Sequence, residues 1–453
     1  MRNYGGLVHA VGRFARDRGG NFAVLFGFAA SVLALVAGFS VNVTQLYNAK
    51  SSLQGVVDAA VTSTARDLTT GAIKEADANK SVQAFLDANA TAGILQAGQV
   101  VLDRLIVDKI AKTVQVDAHV DVALFFPIFG TDDARQVTAS TTSLYSDKTI
   151  EVAMMLDVTG SMAGQKIKDL RTAAANAVDS FLGTQDPNKP RVRLSIVPYA
   201  NSVNTGQLAA SSVYVEANAS QRKQAPGNAS AQPASASPRP DNCATERKGT
   251  DQYSEAGPGS SMVNRDYLLS SFAANTNTAA CPAAALVPLT ADVATLKNVI
   301  KNLGASGGTA GHIGVQWTWY MLSESWGGVL NASQRPAKFD PKKVGKYAIL
   351  MTDGEFNLSY FDATSVGGVY NDAGKETIRT AATKLCAAMR DKGIEIFTIG
   401  FKLDETNAAS TLQNCASPDT GSVKHFYQAA DGAELDSAFQ TIARNIETLA
   451  LTK

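Results

Sequence analysis

The chain has 453 residues, and its 41 lysine and arginine side chains balance 41 aspartate and glutamate side chains. This length exceeds what one ordinary hydrophobic core supports, so about two to three domains are expected. A formal net charge of zero and a pI of about 6.9 argue against general binding to nucleic acid or to acidic partners, which requires a basic surface. The informative charges are therefore local ones.

The N-terminal region combines a basic leader with a long apolar run. Residues 22–41 are almost entirely apolar and follow four arginines, Arg2, Arg13, Arg16 and Arg18. About twenty apolar residues in a helix cross a bilayer core of roughly 30 Å. Basic residues before the span and none close after it predict a cytoplasmic N-terminus, with the bulk of the chain on the far side. The rival interpretation is a cleaved signal peptide, whose apolar core is usually only about 7–15 residues long.

Helical spacing continues beyond this span. Apolar residues recur on one helix face up to Asp67, namely Val43, Leu46, Leu53, Val57 and Ala60. A continuous helix over residues 21–67 would be about 70 Å long. Its second half either forms a coiled coil with a partner or packs on its own domain, and the second alternative is preferred. Residues 1–67 thus form the first predicted region.

Residues 68–147 are predicted to form a small α+β module. A short helix over residues 80–88 precedes three segments rich in β-formers, at residues 100–107, 114–124 and 136–144. The middle segment alternates apolar and polar residues, which is typical of a half-buried strand. Residues 108–112 are expected to form the turn between two antiparallel strands. No catalytic grouping occurs in this module.

Residues 148–453 alternate strands with helices and predict a doubly wound α/β domain with a parallel sheet. The predicted strands are continuous apolar runs, as expected when helices cover both faces, and lie at residues 149–156, 192–197, 347–351, 394–400 and 423–427. A long insertion at residues 206–288 interrupts the domain. Its low-complexity part, residues 221–240, cannot build a core, whereas its cysteine-bracketed second half is expected to be held in place.

Oxygen-bearing side chains follow two of these strands and one glycine-rich loop. Asp157, Thr159 and Ser161 come directly after the first strand, and Asp353 follows the strand at residues 347–351. Thr309 follows Gly307 and Gly308 and precedes a predicted helix at residues 310–322. Ligands of doubly wound sheets bind at the carboxyl ends of strands, so these loops are expected to meet there.

This set of two carboxylates and three hydroxyls contains no histidine or cysteine. Such hard oxygen ligands suit Mg²⁺ (or Mn²⁺ or Ca²⁺) rather than zinc. The sequence therefore predicts a metal site at Asp157, Thr159, Ser161, Thr309 and Asp353, with a coordination position left for a partner's carboxylate. Each of these three sequence elements is common on its own, since an aspartate at a strand end is often only a helix cap.

Four cysteines, Cys243, Cys281, Cys386 and Cys415, fit an oxidising compartment beyond the membrane. None belongs to a C-x-x-C pair, which argues against zinc. The preferred pairing is sequential, Cys243 with Cys281 and Cys386 with Cys415, because it keeps both loops local. The alternative is four buried free thiols.

Two resemblances cover most of the chain. The five predicted metal ligands match the metal-ion-dependent adhesion site (MIDAS) of the von Willebrand factor A domain position by position, with Thr159 standing where serine is common. The N-terminal third resembles the TadE/TadG family of tight-adherence (Flp) pilus assembly, in its arginine- and glycine-containing leader, its single span and its Val57-Asp58-Ala59-Ala60 segment. The phrase at residues 310–317 is similar to the TadG-type combination as well.

The resemblance implies a bacterial envelope protein with an inner-membrane anchor and a periplasmic or surface-facing A domain. Its metal site would bind an acidic residue of another pilus-assembly or envelope protein. We expect no enzymatic activity and no small-molecule substrate. Position 159 lacks the second carboxylate of a phosphohydrolase. An α/β-hydrolase would need a Gly-x-Ser-x-Gly motif with a histidine partner, and the one histidine near these loops, His312, is expected to be a packing or capping residue at a helix start. A passive structural module with a non-essential metal site is the alternative, and a metal-dependent hydrolase is the least favoured hypothesis.

Overall fold

A computed structural model describes residues 20–89, 100–109, 111–126, 134–146, 148–183, 185, 190–215, 241–265, 281–360, 372–421 and 423–452. The chain forms two compact units. Unit 1 comprises residues 1–65 and 75–144, and unit 2 comprises residues 66–74 and 145–453. The predicted helical extension and α+β module therefore share one unit, while the predicted boundaries at residues 67 and 147 stay a prediction.

The helices among the described residues are α1 (Gly20–Thr70), α2 (Ala78–Asn89), α3 (Gln165–Leu182), α4 (Ala209–Ser212), α5 (Val293–Lys301), α6 (Gly311–Tyr320), α7 (Asp372–Asp391), α8 (Thr406–Cys415) and α9 (Gly432–Thr452). The strands are β1 (Val100–Asp108), β2 (Thr113–Ala123), β3 (Ala134–Leu144), β4 (Thr149–Asp157), β5 (Val192–Tyr199), β6 (Val203–Asn204), β7 (Val213–Val215), β8 (Cys243–Ala244), β9 (Val263–Arg265), β10 (Val287–Thr290), β11 (Val344–Thr352), β12 (Glu395–Phe401) and β13 (Phe426–Ala429).

Helix α1 is long and apolar enough to cross a membrane. From Val24 onward it contains an 18-residue window with a mean hydropathy of 2.3, of which 6% is buried. The hydroxyls of Ser31, Ser40 and Thr44 donate to carbonyl oxygens one turn earlier, at 2.8–2.9 Å. These polar side chains therefore have partners within the helix itself, as an apolar environment requires.

The second half of α1 packs within unit 1. Its residues Leu53, Val57 and Ala60 are fully buried. The Gln54 side chain donates from Nε2 to Thr141 Oγ1 of β3 at 2.7 Å. Strands β1, β2 and β3 form an antiparallel sheet in that order, and the alternating burial along β2 follows the predicted pattern. The helical extension thus packs on its own module, which was the preferred alternative.

Unit 2 is built on a six-stranded sheet with the order β10-β5-β4-β11-β12-β13. Strands β5, β4, β11, β12 and β13 run parallel to one another, as predicted. Strand β10, which was not predicted from the sequence, runs antiparallel to β5 at the edge of the sheet. The last predicted strand, residues 423–427, was misplaced by a few residues and lies at Phe426–Ala429.

Helices cover both faces of this sheet. One buried cluster joins the sheet to α3, α5 and α9, with residues such as Leu170, Leu296 and Ile442. A second cluster joins the opposite face to α6 and α7, with residues such as Ile313 and Leu385. This arrangement is the predicted doubly wound α/β fold, and in the sequence it follows an apolar helix and a small α+β module.

The described part of the predicted insertion is packed rather than loose. Arg247 is fully buried and donates to the carbonyl oxygens of Ala256 and Ser261, both at 2.6 Å, while its guanidinium lies 4.9 Å from the ring centroid of Tyr320. Disulfide Cys243–Cys281 ties this segment down, as preferred from the sequence. The low-complexity residues 221–240 lie outside the described residues.

Candidate metal centre

Asp157 is the central residue of the candidate site. It is the last residue of β4 and its side chain is fully buried. One carboxylate oxygen, Oδ1, accepts hydrogen bonds from the Thr159 amide at 2.9 Å and the Thr159 hydroxyl at 2.6 Å. The other oxygen, Oδ2, accepts from Tyr199 at 2.8 Å and from the Thr352 hydroxyl at 2.7 Å. These bonds set the orientation of the carboxylate at the strand end.

A chain of hydrogen bonds continues from Asp157 to Asp353. The Thr159 hydroxyl donates to Asp157, and the Ser161 hydroxyl donates to Asp353 Oδ1 at 2.6 Å. The oxygens Thr159 Oγ1 and Ser161 Oγ lie 2.9 Å apart. Either of these two hydroxyls can donate to the other. The chain thus gathers two carboxylates and two hydroxyls, all of them oxygen ligands, at one edge of the sheet.

Thr309 reaches the same edge through its loop. The Gly160 amide donates to the Gly307 carbonyl at 2.8 Å, and the Ser306 amide donates to the Val158 carbonyl at 2.9 Å. Gly307 has a φ of 87°, and a Cβ there would lie 2.2 Å from Asn201 Oδ1, so this turn requires glycine. The structure thus brings the loops of all five predicted ligands together.

Burial and mutual repulsion disfavour two negatively charged carboxylates side by side in this cluster. Burial raises the pKa of Asp157, and the nearby negative charge of Asp353 raises it further, while hydrogen bonds from Thr159 and Thr352 act in the opposite direction. Burial also raises the pKa of Tyr199 well above its usual value, so its hydroxyl remains a donor to Asp157. Two convergent carboxylates with this mutual repulsion are typical of a site that holds a cation.

A positive charge already approaches Asp353. Lys166, in the first turn of α3, lies with its Nζ 2.8 Å from Asp353 Oδ2. The Asp353 side chain is fully buried, whereas the lysine side chain is one-quarter exposed. The ammonium group neutralises part of the carboxylate charge and occupies one of its oxygens.

Several residues that orient the site were not predicted from the sequence. Tyr199 and Thr352 are the last residues of β5 and β11, so their position at strand ends was the available signal. Asn357 Oδ1 accepts from the Thr309 amide at 2.9 Å. Lys166 has no distinguishing pattern in sequence, because lysine is common on exposed helix turns.

His312, the histidine next to the Thr309 loop, pairs with a carboxylate of the insertion. It is buried in α6 with its Nε2 2.6 Å from Glu246 Oε2 of the insertion. The other Glu246 oxygen, Oε1, accepts from the Tyr360 amide at 2.6 Å. The expectation of a packing role at the helix start agrees with this environment, and the link to the insertion could not be read from sequence.

The apolar helix is similar to a segment of a known family. Residues 20–67 match a family model described as putative Flp pilus-assembly TadE/G-like. The match extends over most of α1 and covers about a tenth of the chain. No curated protein matches the sequence.

Solved structures of low similarity include several pilus proteins. The von Willebrand factor domain of the type V pili tip protein Mfa5 from Porphyromonas gingivalis is 15% identical, with a TM-score of 0.38 over 67% of this chain and 96% of that one. The minor pilin PilB from Streptococcus sanguinis is 10% identical, with a TM-score of 0.36 over 80% and 81%. The pilus adhesin SpaC from Lactobacillus rhamnosus GG is 13% identical, with a TM-score of 0.36 over 79% and 36%. These scores are too low to bear on the function or the partners of this chain.

Proposed function

We propose that this chain is an inner-membrane-anchored component of pilus assembly that binds a partner protein through a divalent cation. Asp157, Thr159, Ser161, Thr309 and Asp353 would hold the cation, with Mg²⁺ as the first candidate and Mn²⁺ or Ca²⁺ as alternatives. The observation that carries the proposal is the hydrogen-bonded chain from Asp157 through Thr159 and Ser161 to Asp353, which brings two carboxylates and two hydroxyls together.

The exposure of the ligands supports binding of a partner. Asp157 and Thr159 are buried, whereas Ser161 is exposed. The buried carboxylates would therefore bind a cation from the protein interior, and the cation would remain accessible to a partner on the side of Ser161. Because oxygen ligands complete the shell of a hard cation, an acidic side chain of the partner is the matching chemistry.

Binding is favoured over catalysis at this site. Position 159 carries a threonine whose hydroxyl is hydrogen-bonded to Asp157, so the loop after β4 lacks the second aspartate of an Asp-x-Asp motif. His312 is buried and its Nε2 lies 2.6 Å from Glu246, so this ring nitrogen is already engaged. A metal-bridged contact with another envelope protein agrees with both features.

Metal titration of the full chain in nanodiscs tests the first step. Isothermal titration with Mg²⁺ and Mn²⁺ should detect binding that weakens more than about tenfold in Asp157→Asn and in Asp353→Asn, which is about 1.4 kcal/mol or more. Asp179→Asn is the matched control, since Asp179 is an exposed aspartate of α3 that pairs with Lys297. Unchanged affinity in both site variants would exclude this metal site.

Partner capture tests the second step. The purified full chain is incubated with envelope extract from cells that make the pilus, with Mg²⁺ or with EDTA. The proposal requires a captured protein that is lost with EDTA and with Asp157→Asn. Capture that is unaffected by either change, in a protein that does bind Mg²⁺, would instead favour the passive scaffold function.

A further inference from the structure

Phe125 and Phe126, the residues that follow β2 by one and two positions beyond Leu124, lie against α1 at the last turn of its apolar stretch. The Asn42 side chain donates from Nδ2 to the Phe126 carbonyl at 2.5 Å, and the Phe126 amide donates to Asn42 Oδ1 at 3.1 Å. A Cβ on Gly38 would lie 3.4 Å from the Phe126 side chain. Four residues of helix rise only about 6 Å, so Phe126 lies level with the end of the predicted span at residues 22–41.

A second amide side chain of α1 makes a similar pair one turn further along. Gln45 donates from Nε2 to the Ala123 carbonyl at 2.6 Å, and its Oε1 accepts from the Phe125 amide at 3.2 Å. Backbone groups at the end of β2 are thereby hydrogen-bonded to helix side chains instead of to water. In an apolar medium an unpaired backbone group is costly, so this pairing suits a hairpin end that contacts lipid.

The side chains at this position are apolar and exposed. Phe125 is 71% exposed and Phe126 is 50% exposed, and the neighbouring helix presents Phe39 at 62% and Val41 at 41%. A groove of about 340 Å³ between Phe125 and the helix is lined by Ser40, Val41, Thr44, Gln45 and Asn48. This apolar surface is continuous with the exposed side chains of the helix from Val24 onward. A large exposed apolar surface marks a site of association.

We propose that Phe125 and Phe126 insert into the interfacial layer of the bilayer, so that unit 1 contacts the membrane through its hairpin as well as through α1. The inference rests on the membrane span included in the proposed function. Lipid is the occupant because the two phenylalanines lie at the level where that span ends and extend its apolar surface. Aromatic side chains at this level are typical of the membrane–water interface.

Depth measurement with nitroxide labels tests the inference on the full chain in phospholipid nanodiscs. Labels are attached to single cysteines in Phe125→Cys, in Leu33→Cys within the span, and in Ala111→Cys at the exposed β1–β2 turn at the other end of the sheet. Power saturation compares collisions with oxygen, which partitions into lipid, and with a water-soluble nickel chelate. We expect the label at residue 125 to favour oxygen several-fold, as at residue 33, and the label at residue 111 to favour nickel.

Three results would overturn the inference. A label at residue 125 that behaves like the one at residue 111 overturns it, while the span and the metal site stand. A water-exposed label at residue 33 would overturn the span and the inference together. Dipolar broadening between labels at residue 125, with nickel still accessible in the monomeric state, would show that a second copy covers the hairpin instead. Phe126→Cys is measured in parallel, and circular dichroism checks that each variant is folded.

Discussion

Lys166 is the residue that most directly modulates the candidate metal centre. Its ammonium group lies 2.8 Å from Asp353 Oδ2 and neutralises a carboxylate that the proposed cation would also bind. A bound cation and this ammonium group therefore compete for the same oxygen, and like charges at this separation repel each other. The lysine stabilises the buried Asp353 carboxylate when no cation is bound, and we therefore expect it to lower the affinity for the proposed cation.

Lys166→Met should consequently tighten Mg²⁺ binding. We expect a gain of roughly tenfold, or about 1.4 kcal/mol, in a titration of the full chain. Lys168→Gln is the matched control, since it removes the same charge from an exposed position of α3. If both variants change the affinity equally, the effect is one of general surface charge and the specific competition is excluded.

Glu447 shows how burial can outweigh an ion pair. It forms a two-pronged contact with Arg66, with Nε 3.0 Å from Oε2 and Nη2 3.1 Å from Oε1. Burial nevertheless raises the pKa of Glu447 above its ordinary value of 4.5, more than Arg66 lowers it. A carboxyl whose pKa is raised on folding contributes stability below the unfolded pKa, and that contribution is lost as the pH rises through the folded pKa.

Glu447→Gln removes this titration while keeping the shape of the side chain. At neutral pH we expect the free energy of unfolding to stay equal or to rise by up to about 1 kcal/mol, and to vary less with pH between about 4 and 7. Chemical denaturation at several pH values measures both effects, with exposed Glu376→Gln as the control. A large loss of stability at neutral pH would mean that the ion pair dominates.

At the scale of elements, helix α6 positions the loop that bears Asp353. It begins at Gly311, where a Cβ would lie 1.9 Å from the ring of Phe356. Phe356 is buried three residues after Asp353 and contacts Tyr199 edge to face, with ring centroids 6.5 Å apart. Tyr199 in turn donates to Asp157. The close approach of α6 to Phe356 therefore positions the loop that bears Asp353 and, through Tyr199, the carboxylate of Asp157.

Gly311→Ala should disturb the site without touching a ligand. The added methyl group displaces the Phe356 ring, and we expect a loss of about 1–3 kcal/mol in stability together with weaker Mg²⁺ binding. Gly304→Ala is the control, since a Cβ there meets no atom within 4 Å. Thermal unfolding and metal titration are measured on both variants, and equal behaviour of the two would refute this positioning role for α6.

At the scale of the whole molecule, the disulfides distinguish the two units. Both bonds, Cys243–Cys281 and Cys386–Cys415, belong to unit 2, and residues 1–144 contain no cysteine. The second bond joins α7 to the last residue of α8. Cross-links of 38 and 29 residues restrict the unfolded chain, which stabilises the fold by about 3–4 kcal/mol each.

A reducing agent should therefore destabilise unit 2 selectively. Calorimetry of the full chain with and without reductant is expected to show one transition that moves to lower temperature and one that does not. A variant with all four cysteines changed to serine should show the lower transition in both conditions. A shift of both transitions in the wild-type protein would contradict independent units and would indicate coupled unfolding.

The sequence by itself determined the apolar helix, most of the regular elements and the oxygen-bearing side chains at the strand ends, because helical and strand periodicity and residue chemistry are local properties. Tertiary structure alone decided the antiparallel position of Val287–Thr290, since four residues after an insertion carry no pattern that reveals their partner strand. It also decided that Tyr199 orients Asp157, that Lys166 reaches Asp353, and that Asn42 holds the end of the β2–β3 hairpin. These are contacts between residues 42 to 187 positions apart, which only folding brings within hydrogen-bonding distance.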